Sequence, residues 1–197
     1  MTEIIRIQHT PEAAAVVGAI IAESFHELEV STWIVRPDED RRRVLPPYFA
    51  LFTEHAFAHG EVYVTADMSA AAVWLDNQTP PLPDVPDLEA RLTAFAGSHA
   101  QRFALLGEEM DKRHPHDPHC YLAFLAVLPN RQSQGLGGRL LAEHHGRLDE
   151  AGTAAYLEAS NARSREFYLR HGYADLGEPL ILPDGPPMFP MWRPPAS

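Results

Sequence analysis

The feature that most constrains the fold is a nearly continuous apolar run over residues 121–128, bounded by His119 on one side and Pro129 on the other. A run of this length, with few polar residues in alternation, is typical of a strand that is covered on both faces. It is followed by a glycine-rich segment, 132–138, and then by leucines at helical spacing that end at Gly152. The pattern therefore predicts a central strand, a tight loop and an amphipathic helix in direct succession.

The rest of the chain alternates between strand-like and helix-like patterns. Period-two alternation and short apolar runs predict strands, whereas apolar residues three and four apart predict helices. Because predicted helices alternate with single strands in some parts of the chain and with pairs of strands in others, the order indicates a mixed α/β or α+β fold. The helical pattern of 88–113 is interrupted by Gly97 and Gly107, which predicts two helices or one kinked helix. The predicted strands are 3–9, 61–66, 71–75, 121–128, 154–159, 173–182 and 189–193, and the predicted helices are 11–28, 41–58, 88–113, 136–151 and 161–170.

Composition narrows the classes of protein to which the chain can belong. With 197 residues, of which 45% are hydrophobic, we expect one domain over 1–197. No apolar stretch approaches the roughly 20 residues of a membrane-spanning helix, and the net charge of −11 opposes nucleic-acid phosphates, so neither a membrane nor a nucleic acid is an expected partner. The single cysteine, Cys120, and the absence of a secretory pattern in the first residues favour a cytoplasmic protein. Both a monomer and a homodimer stay open.

The glycine-rich segment has the chemistry of an anion-binding loop. Its glycines remove the Cβ atoms that would block a phosphate, and the N–H groups of the first helical turn point outward at the positive end of the helix dipole. A P-loop requires Lys and then Ser or Thr after its last glycine, whereas Gly138 is followed by Arg139 and Leu140. A dinucleotide-binding GxGxxG loop would need a third glycine where Leu140 stands. An ordinary glycine-rich turn that starts a helix stays open as the simplest alternative.

Two motifs give the sequence a resemblance to a known family. The segment 132–137 follows the buried strand with the pattern Gln-x-x-Gly-x-Gly, and Asn161 is followed seven residues later by Tyr168. In this order and separation, the motifs resemble those of the GNAT superfamily of N-acetyltransferases, most clearly over residues 121–173. The resemblance implies a mixed, mainly antiparallel central sheet flanked by helices, with the fourth and fifth strands splayed apart.

The C-terminal residues narrow the resemblance. The tail 182–193 is similar to that of acetyltransferases of the puromycin N-acetyltransferase type. The resemblance implies an enzyme that transfers an acyl group, with acetyl-CoA as co-substrate, to a small-molecule amine. Two alternatives stay open, namely a non-catalytic acyl-CoA-binding or regulatory module and an enzyme that acetylates protein N-termini or lysines.

The resemblance also implies which residues bind coenzyme A. The exposed backbone of the fourth strand would pair with the pantetheine arm, and the Val127 N–H would donate to the oxyanion. The glycine-rich loop would hold the pyrophosphate, while Asn161 would reach the pantetheine from the opposite wall. The residues expected at the cofactor are Leu125, Ala126, Val127, Gln132, Ser133, Gln134, Gly135, Leu136, Gly137, Gly138, Arg139, Asn161 and Tyr168.

Catalytic residues are expected on the fifth strand, at the entrance of the fourth, and on the helix that follows the fifth. By resemblance, Tyr168 is the acid that protonates the departing thiolate. The fourth strand offers no acid, so Glu158 is the first candidate for the general base and His119 is the second. The missing acid also gives the non-catalytic alternative some support. His114, His116 and His119 are close in sequence, but no dense group of carboxylates accompanies them, and we expect no metal.

Overall fold

The computed structural model describes residues 2–79 and 81–196, which form a central sheet with helices on both faces. Two short 3₁₀ turns, Gly97–His99 and Pro129–Arg131, connect some of the elements. In chain order, the elements are β1 (Ile4–Arg6), α1 (Pro11–Phe25), α2 (Glu29–Ile34), α3 (Asp38–His59), β2 (Gly60–Thr65), β3 (Ala70–Asn77), α4 (Leu88–Ala96), α5 (Ala100–Asp111), β4 (His119–Val127), α6 (Leu136–Ala151), β5 (Ala155–Ala159), α7 (Ala162–Leu169), β6 (Ala174–Asp175), β7 (Leu180–Ile181) and β8 (Pro187–Arg193).

The sheet is mixed and mainly antiparallel, which confirms the predicted fold class. Over the described residues it has eight strands, seven of which run in the order β1-β2-β3-β4-β5-β8-β6, while β7 pairs with β8. The pairing of β4 with β5 is parallel and the other pairings are antiparallel. β4 lies inside the sheet with a neighbour on each side, as its apolar sequence predicts.

Two apolar cores lie on the two faces of the sheet. Residues of α1 to α5 build one core, and residues of α6 and α7 build the other. Because successive side chains of a strand point to opposite faces, β4 contributes to both cores: Tyr121 packs against the first core and Leu122 belongs to the second. The sheet is thus covered on both sides around β4 and β5, where the candidate site is found.

Secondary structure differs from the predictions in two places. The pattern does not predict α2, because its six residues span less than two turns and show no clear period. The single strand predicted over 173–182 is wrong, since the chain forms β6 and β7 with a turn between them, and Gly177 in that turn has a φ of 75°. The interrupted helix predicted over 88–113 is confirmed as α4 and α5, which separate at Gly97. None of the described helices combines the length and the apolar character needed to cross a membrane.

The crossing of α1 over α3 depends on Gly18. A Cβ atom there would lie 2.6 Å from the Ala50 nitrogen and 2.8 Å from the Pro46 carbonyl oxygen, and backbone atoms cannot rotate away. We expect Gly18→Ala to lower the free energy of unfolding by about 1–3 kcal/mol, because the helices are forced apart. Gly146→Ala on α6 is the matched control, since its Cβ would meet no atom within 4 Å. Urea unfolding should show the loss in the first variant and not in the second; equal midpoints would contradict it.

Candidate active site

A gap opens in the sheet between β4 and β5. Within the described chain, the two strands pair at only two residues of β4, Cys120 and Tyr121, although β4 continues to Val127 and β5 to Ala159. Strands that stayed paired would satisfy each other's N–H and C=O groups. The divergence therefore leaves backbone groups facing a cleft, as predicted for the splayed fourth and fifth strands.

The backbone of β4 directs two residues into this gap. The Leu128 N–H donates to the Ser69 carbonyl oxygen, next to β3, at 2.9 Å. An antiparallel ladder uses the backbone groups of every second residue, so those of Val127 and Leu125 point away from β3. Both residues line the cleft. Ala126 turns its backbone to β3 and buries its side chain, which corrects the expectation that it contacts the cofactor.

A β-bulge in β4 shapes the far end of the cleft. The register of β4 against β3 shifts between Val73 and Trp74, which leaves Ala123 of β4 without a partner. The inserted residue allows Ala123 and Phe124 to face the same core instead of opposite ones. Phe124 therefore joins the cleft wall on the side of α1 and α3.

The cleft has a volume of about 480 Å³ and begins at the first turn of α6. Gly135 precedes this helix with a φ of 78°, and no side chain caps it. The Arg139 N–H is the first to donate back to this turn, so the N–H groups of 136–138 have no acceptor among the described residues. These free donors at the positive end of the helix dipole suit an anion such as a diphosphate.

Glycines allow α6 to approach the neighbouring helix α7. A Cβ atom at Gly138 would lie 2.8 Å from Nε2 of His171, and one at Gly137 would lie 3.4 Å from Cζ of Phe167. The first distance is too short for any real side chain, while the second is tight. The glycines of the predicted anion-binding loop therefore also have a packing reason.

Other residues of the predicted loop divide into two groups. Gln132 and Ser133 line the cleft, and the Gln132 amide donates to the Val127 carbonyl oxygen at 3.2 Å. Gln134 and Arg139 lie outside the cleft lining. The amide of Gln134 donates to a carbonyl of the preceding turn, and the guanidinium of Arg139 donates to a carbonyl near the N-terminus. The side chains of these two residues are thus engaged with the protein's own backbone.

The opposite wall of the cleft belongs to α7. Asn161 caps this helix by accepting a hydrogen bond of 2.8 Å from the Ser164 N–H, and its own N–H donates to the Ser164 hydroxyl. Tyr168, two turns after Asn161 on the same wall, is buried and lines the cleft. Burial raises the pKa of its phenol, so the hydroxyl keeps its proton at neutral pH and is able to donate it.

Glu158 is a buried carboxyl group in the cleft wall. Its side chain is only 1% exposed, and burial raises its pKa to about 7. The Tyr121 hydroxyl donates to Oε2 at 2.8 Å, which opposes the rise, while Oε1 has no hydrogen-bond partner in the described parts of the chain. A carboxyl group that is half ionised near neutral pH, with one oxygen free, is suited to take a proton from a substrate.

His119 does not line the cleft. Its ring is fully buried, with Nδ1 2.7 Å from the Asp117 carbonyl oxygen and Nε2 3.1 Å from Nε2 of His114. His114 stands between His119 and the carboxyl group, with its Nδ1 3.9 Å from Oε1 of Glu158. This corrects the expectation of His119 as a direct base, because it reaches Glu158 only through His114.

A hydrogen bond determines the tautomer of His119. A carbonyl oxygen only accepts, so Nδ1 of His119 carries the proton and its Nε2 is an acceptor. Nε2 of His114 contacts this acceptor, and the Asn77 amide nitrogen lies 3.3 Å from the Nε2 atoms of both histidines. Burial lowers the pKa of His114 to about 4, which keeps this ring neutral at pH 7. The arrangement places a neutral ring near the carboxyl group.

The histidines of the 114–119 loop do not form a metal-binding group with other ligands in the described chain. The group whose ligand atoms lie within 4.8 Å of one another is at the end of α1 and consists of His26, Glu27 and Asp38. Asp38 accepts a hydrogen bond of 2.7 Å from the His26 ring and also pairs with neighbouring arginines. These contacts account for the cluster as surface ion pairs.

A family model supplies the decisive comparison. The model described as the Acetyltransferase (GNAT) family matches residues 50–173, a span that includes the gap, the glycine-rich turn and α7. The chain belongs to the GNAT family. The predicted membership is thereby confirmed, and the gap between β4 and β5 is the cleft of a GNAT protein.

Solved structures show the same GNAT fold over the length of the chain. A structure described as histone acetyltransferase HPA2 and related acetyltransferase, from Corynebacterium glutamicum, is 27% identical with a TM-score of 0.71, and the match covers 100% of this chain and 98% of that one. Arylalkylamine N-acetyltransferase 2 from Aedes aegypti is 14% identical with a TM-score of 0.57 and coverage of 98% and 100%. The ribosomal-protein-S18-alanine N-acetyltransferase from Escherichia coli is 17% identical with a TM-score of 0.54 and coverage of 100% and 96%. The last two likenesses concern the fold alone.

Some residues of the GNAT cleft do not stand out in the sequence. Tyr121 and Phe124 belong to the apolar run, and only the bulge and the tertiary packing bring their side chains to the cleft. His114 is separated from Glu158 by more than forty positions, so no local pattern could join them. A prediction that β4 pairs with β5 in parallel would have been the one way to find the contact of Tyr121 with Glu158, because this pairing brings Tyr121 beside the strand that carries Glu158.

Proposed function

We propose that this GNAT protein is an N-acetyltransferase that transfers the acetyl group of acetyl-CoA to a small-molecule amine. The observation that carries the proposal is Glu158, a buried carboxyl group with a pKa of about 7 that faces the same cleft as the free N–H groups of α6. A module that only binds acyl-CoA has no use for such a group, whose burial is unfavourable. The cleft draws on residues from Ser24 to Met188, and we propose that the chain is one domain.

The chain offers a fitting set of groups for coenzyme A, the co-substrate that the family implies. The free N–H groups of 136–138 would bind the diphosphate. Backbone groups of Leu125 and Val127 would pair with the pantetheine arm, and Asn161 would contact this arm from α7. The thioester of acetyl-CoA supplies an activated acetyl group.

Glu158 and Tyr168 would carry the protons of the reaction. An acceptor that enters as an ammonium ion first loses one proton to solvent. As the neutral amine nitrogen then bonds to the acetyl carbon and the carbon–sulfur bond breaks, Glu158 takes the second proton that nitrogen loses and Tyr168 gives a proton to sulfur. The Val127 N–H, directed into the gap, would donate to the acetyl oxygen while negative charge develops there. One proton then passes from Glu158 to Tyr168 through solvent, and both groups are restored.

The dimensions of the cleft support a small acceptor. The cleft measures about 480 Å³ and also has to hold the pantetheine arm, which leaves limited space beyond Glu158. The C-terminal tail supports the same choice, because it is similar to that of acetyltransferases of the puromycin N-acetyltransferase type. Structures of similar fold are named for both arylalkylamine and ribosomal-protein acetylation, so the names alone do not decide between the two acceptor classes.

A substitution at Gly137 tests the cofactor part of the proposal. A Cβ atom there would lie 3.4 Å from Phe167 and 3.7 Å from Leu125, on the surface where coenzyme A is proposed to bind. We expect Gly137→Val to raise the Kd of coenzyme A at least about tenfold, because its methyl groups fill this space. Isothermal titration calorimetry measures the change. Gly146→Val on the same helix is the control and should bind as the wild type does, since its Cβ position is open.

Thiol release tests the enzymatic part. Purified protein with acetyl-CoA and a panel of amines should release free coenzyme A faster than the same mixture without amine. A protein that binds coenzyme A in the calorimeter but releases no thiol with any amine would be the non-catalytic module. A wild-type protein that gives no heat with saturating coenzyme A would overturn the whole proposal.

A further inference from the structure

We infer that the acceptor is a primary amine on an apolar, aromatic body, with one positive charge and few other polar groups. The inference rests on the proposed acetyl transfer and adds the chemistry of the acceptor. It comes from the part of the cleft on the side of α1 to α3, which we call the acceptor chamber. The chamber is lined by Phe25, Leu28, Ile34, Tyr48, Phe49 and Phe124.

Charge is segregated along the cleft. Arg131, Arg163 and Arg170 line the half near α6 and α7, where the anionic cofactor is proposed to bind. Glu158 is the one carboxylate that lines the cleft among the described residues. A single carboxylate matches a single ammonium group. A second ammonium group in the chamber would lose its water without gaining a partner.

Aromatic rings form much of the chamber wall. The Phe124 ring lies 5.0 Å from that of Phe49 and 6.4 Å from that of Phe25, and these two lie 5.6 Å apart. The interplanar angles of 71–89° make all three contacts edge-to-face, the arrangement that aromatic rings favour. Tyr48 extends the cluster at 5.2 Å from Phe49. An aromatic acceptor could join this cluster with the same geometry.

Of the polar groups beside the chamber, those of Ser24 and Tyr121 already have partners. The Ser24 hydroxyl donates to the Ile20 carbonyl oxygen at 2.7 Å, and the Tyr121 hydroxyl donates to Glu158 at 2.8 Å. A sugar or a polyamine would therefore bring hydroxyl or amine groups that find few free donors or acceptors, and it would bind at a cost in desolvation. The chamber therefore selects among acceptors by its scarcity of free hydrogen-bonding groups as well as by its apolar surface.

The inference is tested with five acceptors at matched concentration, namely 2-phenylethylamine, n-butylamine, 1,4-diaminobutane, glucosamine and a peptide with an N-terminal alanine. Thiol release gives kcat/KM for each. We expect 2-phenylethylamine to exceed 1,4-diaminobutane, glucosamine and the peptide by about 10- to 100-fold, because burial of a ring is favourable and unpaired polar groups are rejected. The value for n-butylamine should lie in between.

A pair of variants locates the selectivity in the chamber. Phe124→Leu should reduce the preference for 2-phenylethylamine over n-butylamine by about three- to tenfold, because an aromatic partner is lost while apolar volume is largely kept. Phe103→Leu is the matched control. Phe103 is buried and packs 4.5 Å from Tyr48, but it lies outside the cleft lining, so selectivity should stay at the wild-type value.

The outcomes separate this inference from the proposed function. Faster acetylation of glucosamine, diaminobutane or the peptide overturns the inference, while the released thiol shows that acetyl transfer stands. Unchanged selectivity in Phe124→Leu overturns it as well. If no amine releases thiol, the inference and the proposed reaction both fail. A heat of binding in the calorimetric titration with coenzyme A would in that case support cofactor binding alone.

Discussion

Glu158→Gln is expected to lower kcat/KM by about 10²–10⁴-fold while coenzyme A affinity is unchanged. The amide has nearly the same shape and can still accept the hydrogen bond from Tyr121, but it cannot take a proton from the amine. Thiol release and calorimetric titration measure the two quantities. Glu61→Gln is the matched control, because Glu61 pairs with Arg147 at 2.9 Å outside the cleft lining and should leave turnover near the wild-type value.

The pH profile gives a second readout of the same carboxyl group. Because burial raises the pKa of Glu158 to about 7, its basic form is lost as the pH falls through 7, and kcat/KM should fall with it. Glu158→Gln should remove this ionisation and leave only that of the amine. Tyr121→Phe should move it to higher pH, since the lost hydrogen bond lowers the pKa. An ionisation near 7 that survives in Glu158→Gln would assign the base to another group.

Tyr168→Phe is expected to lower kcat by about 10²-fold and to leave the Kd of coenzyme A unchanged. Burial raises the pKa of the phenol, so the hydroxyl is protonated throughout the neutral range and serves as the proton donor to sulfur. The variant removes this donor but keeps the ring that packs in the wall of the cleft. Single-turnover kinetics with the enzyme in excess over acetyl-CoA separate the chemical step from product release.

Tyr173→Phe is the control for this substitution. Tyr173 is also buried, and its ring lies 5.6 Å from that of Tyr168. Its hydroxyl bonds to His145 at 3.1 Å, away from the cleft lining, so kcat should stay within about twofold of the wild-type value even if stability falls by about 1 kcal/mol. Equal losses in both variants would indicate a packing effect and not acid catalysis.

Local patterns were sufficient to predict the elements at the α6 and α7 end of the cleft. The apolar run of β4, the glycine-rich turn and the cap of α7 are each encoded within a few residues, and they predict a strand, a free helix N-terminus and a helix start. Gly135 is in the left-handed region that favours glycine, and Asn161 is a preferred capping residue. Such features depend on backbone conformation, which a short segment of sequence largely determines.

The acceptor side could not be predicted in the same way. The bulge at Ala123 breaks the alternation that places side chains on one face or the other, so the position of Phe124 follows only from the register against β3. The pKa of Glu158 depends on burial by elements distant in the chain. Likewise, the expectation for Ala126 failed because alternate residues of one strand direct their backbone groups to opposite neighbours.

The short parallel ladder at Cys120 and Tyr121 also has a mechanical consequence. Strands β1 to β4 lie on one side of this ladder and β5 to β8 on the other. Within the sheet, the two halves are therefore joined by only a short stretch of strand pairing. A ligand bound in the gap between β4 and β5 contacts both halves of the sheet and links them. By mass action, a ligand at a free concentration of a hundred times its Kd raises the free energy of unfolding by about 2.7 kcal/mol. The melting temperature of this protein should therefore rise with the concentration of the ligand that binds between β4 and β5, and in a cell it should follow the supply of that ligand.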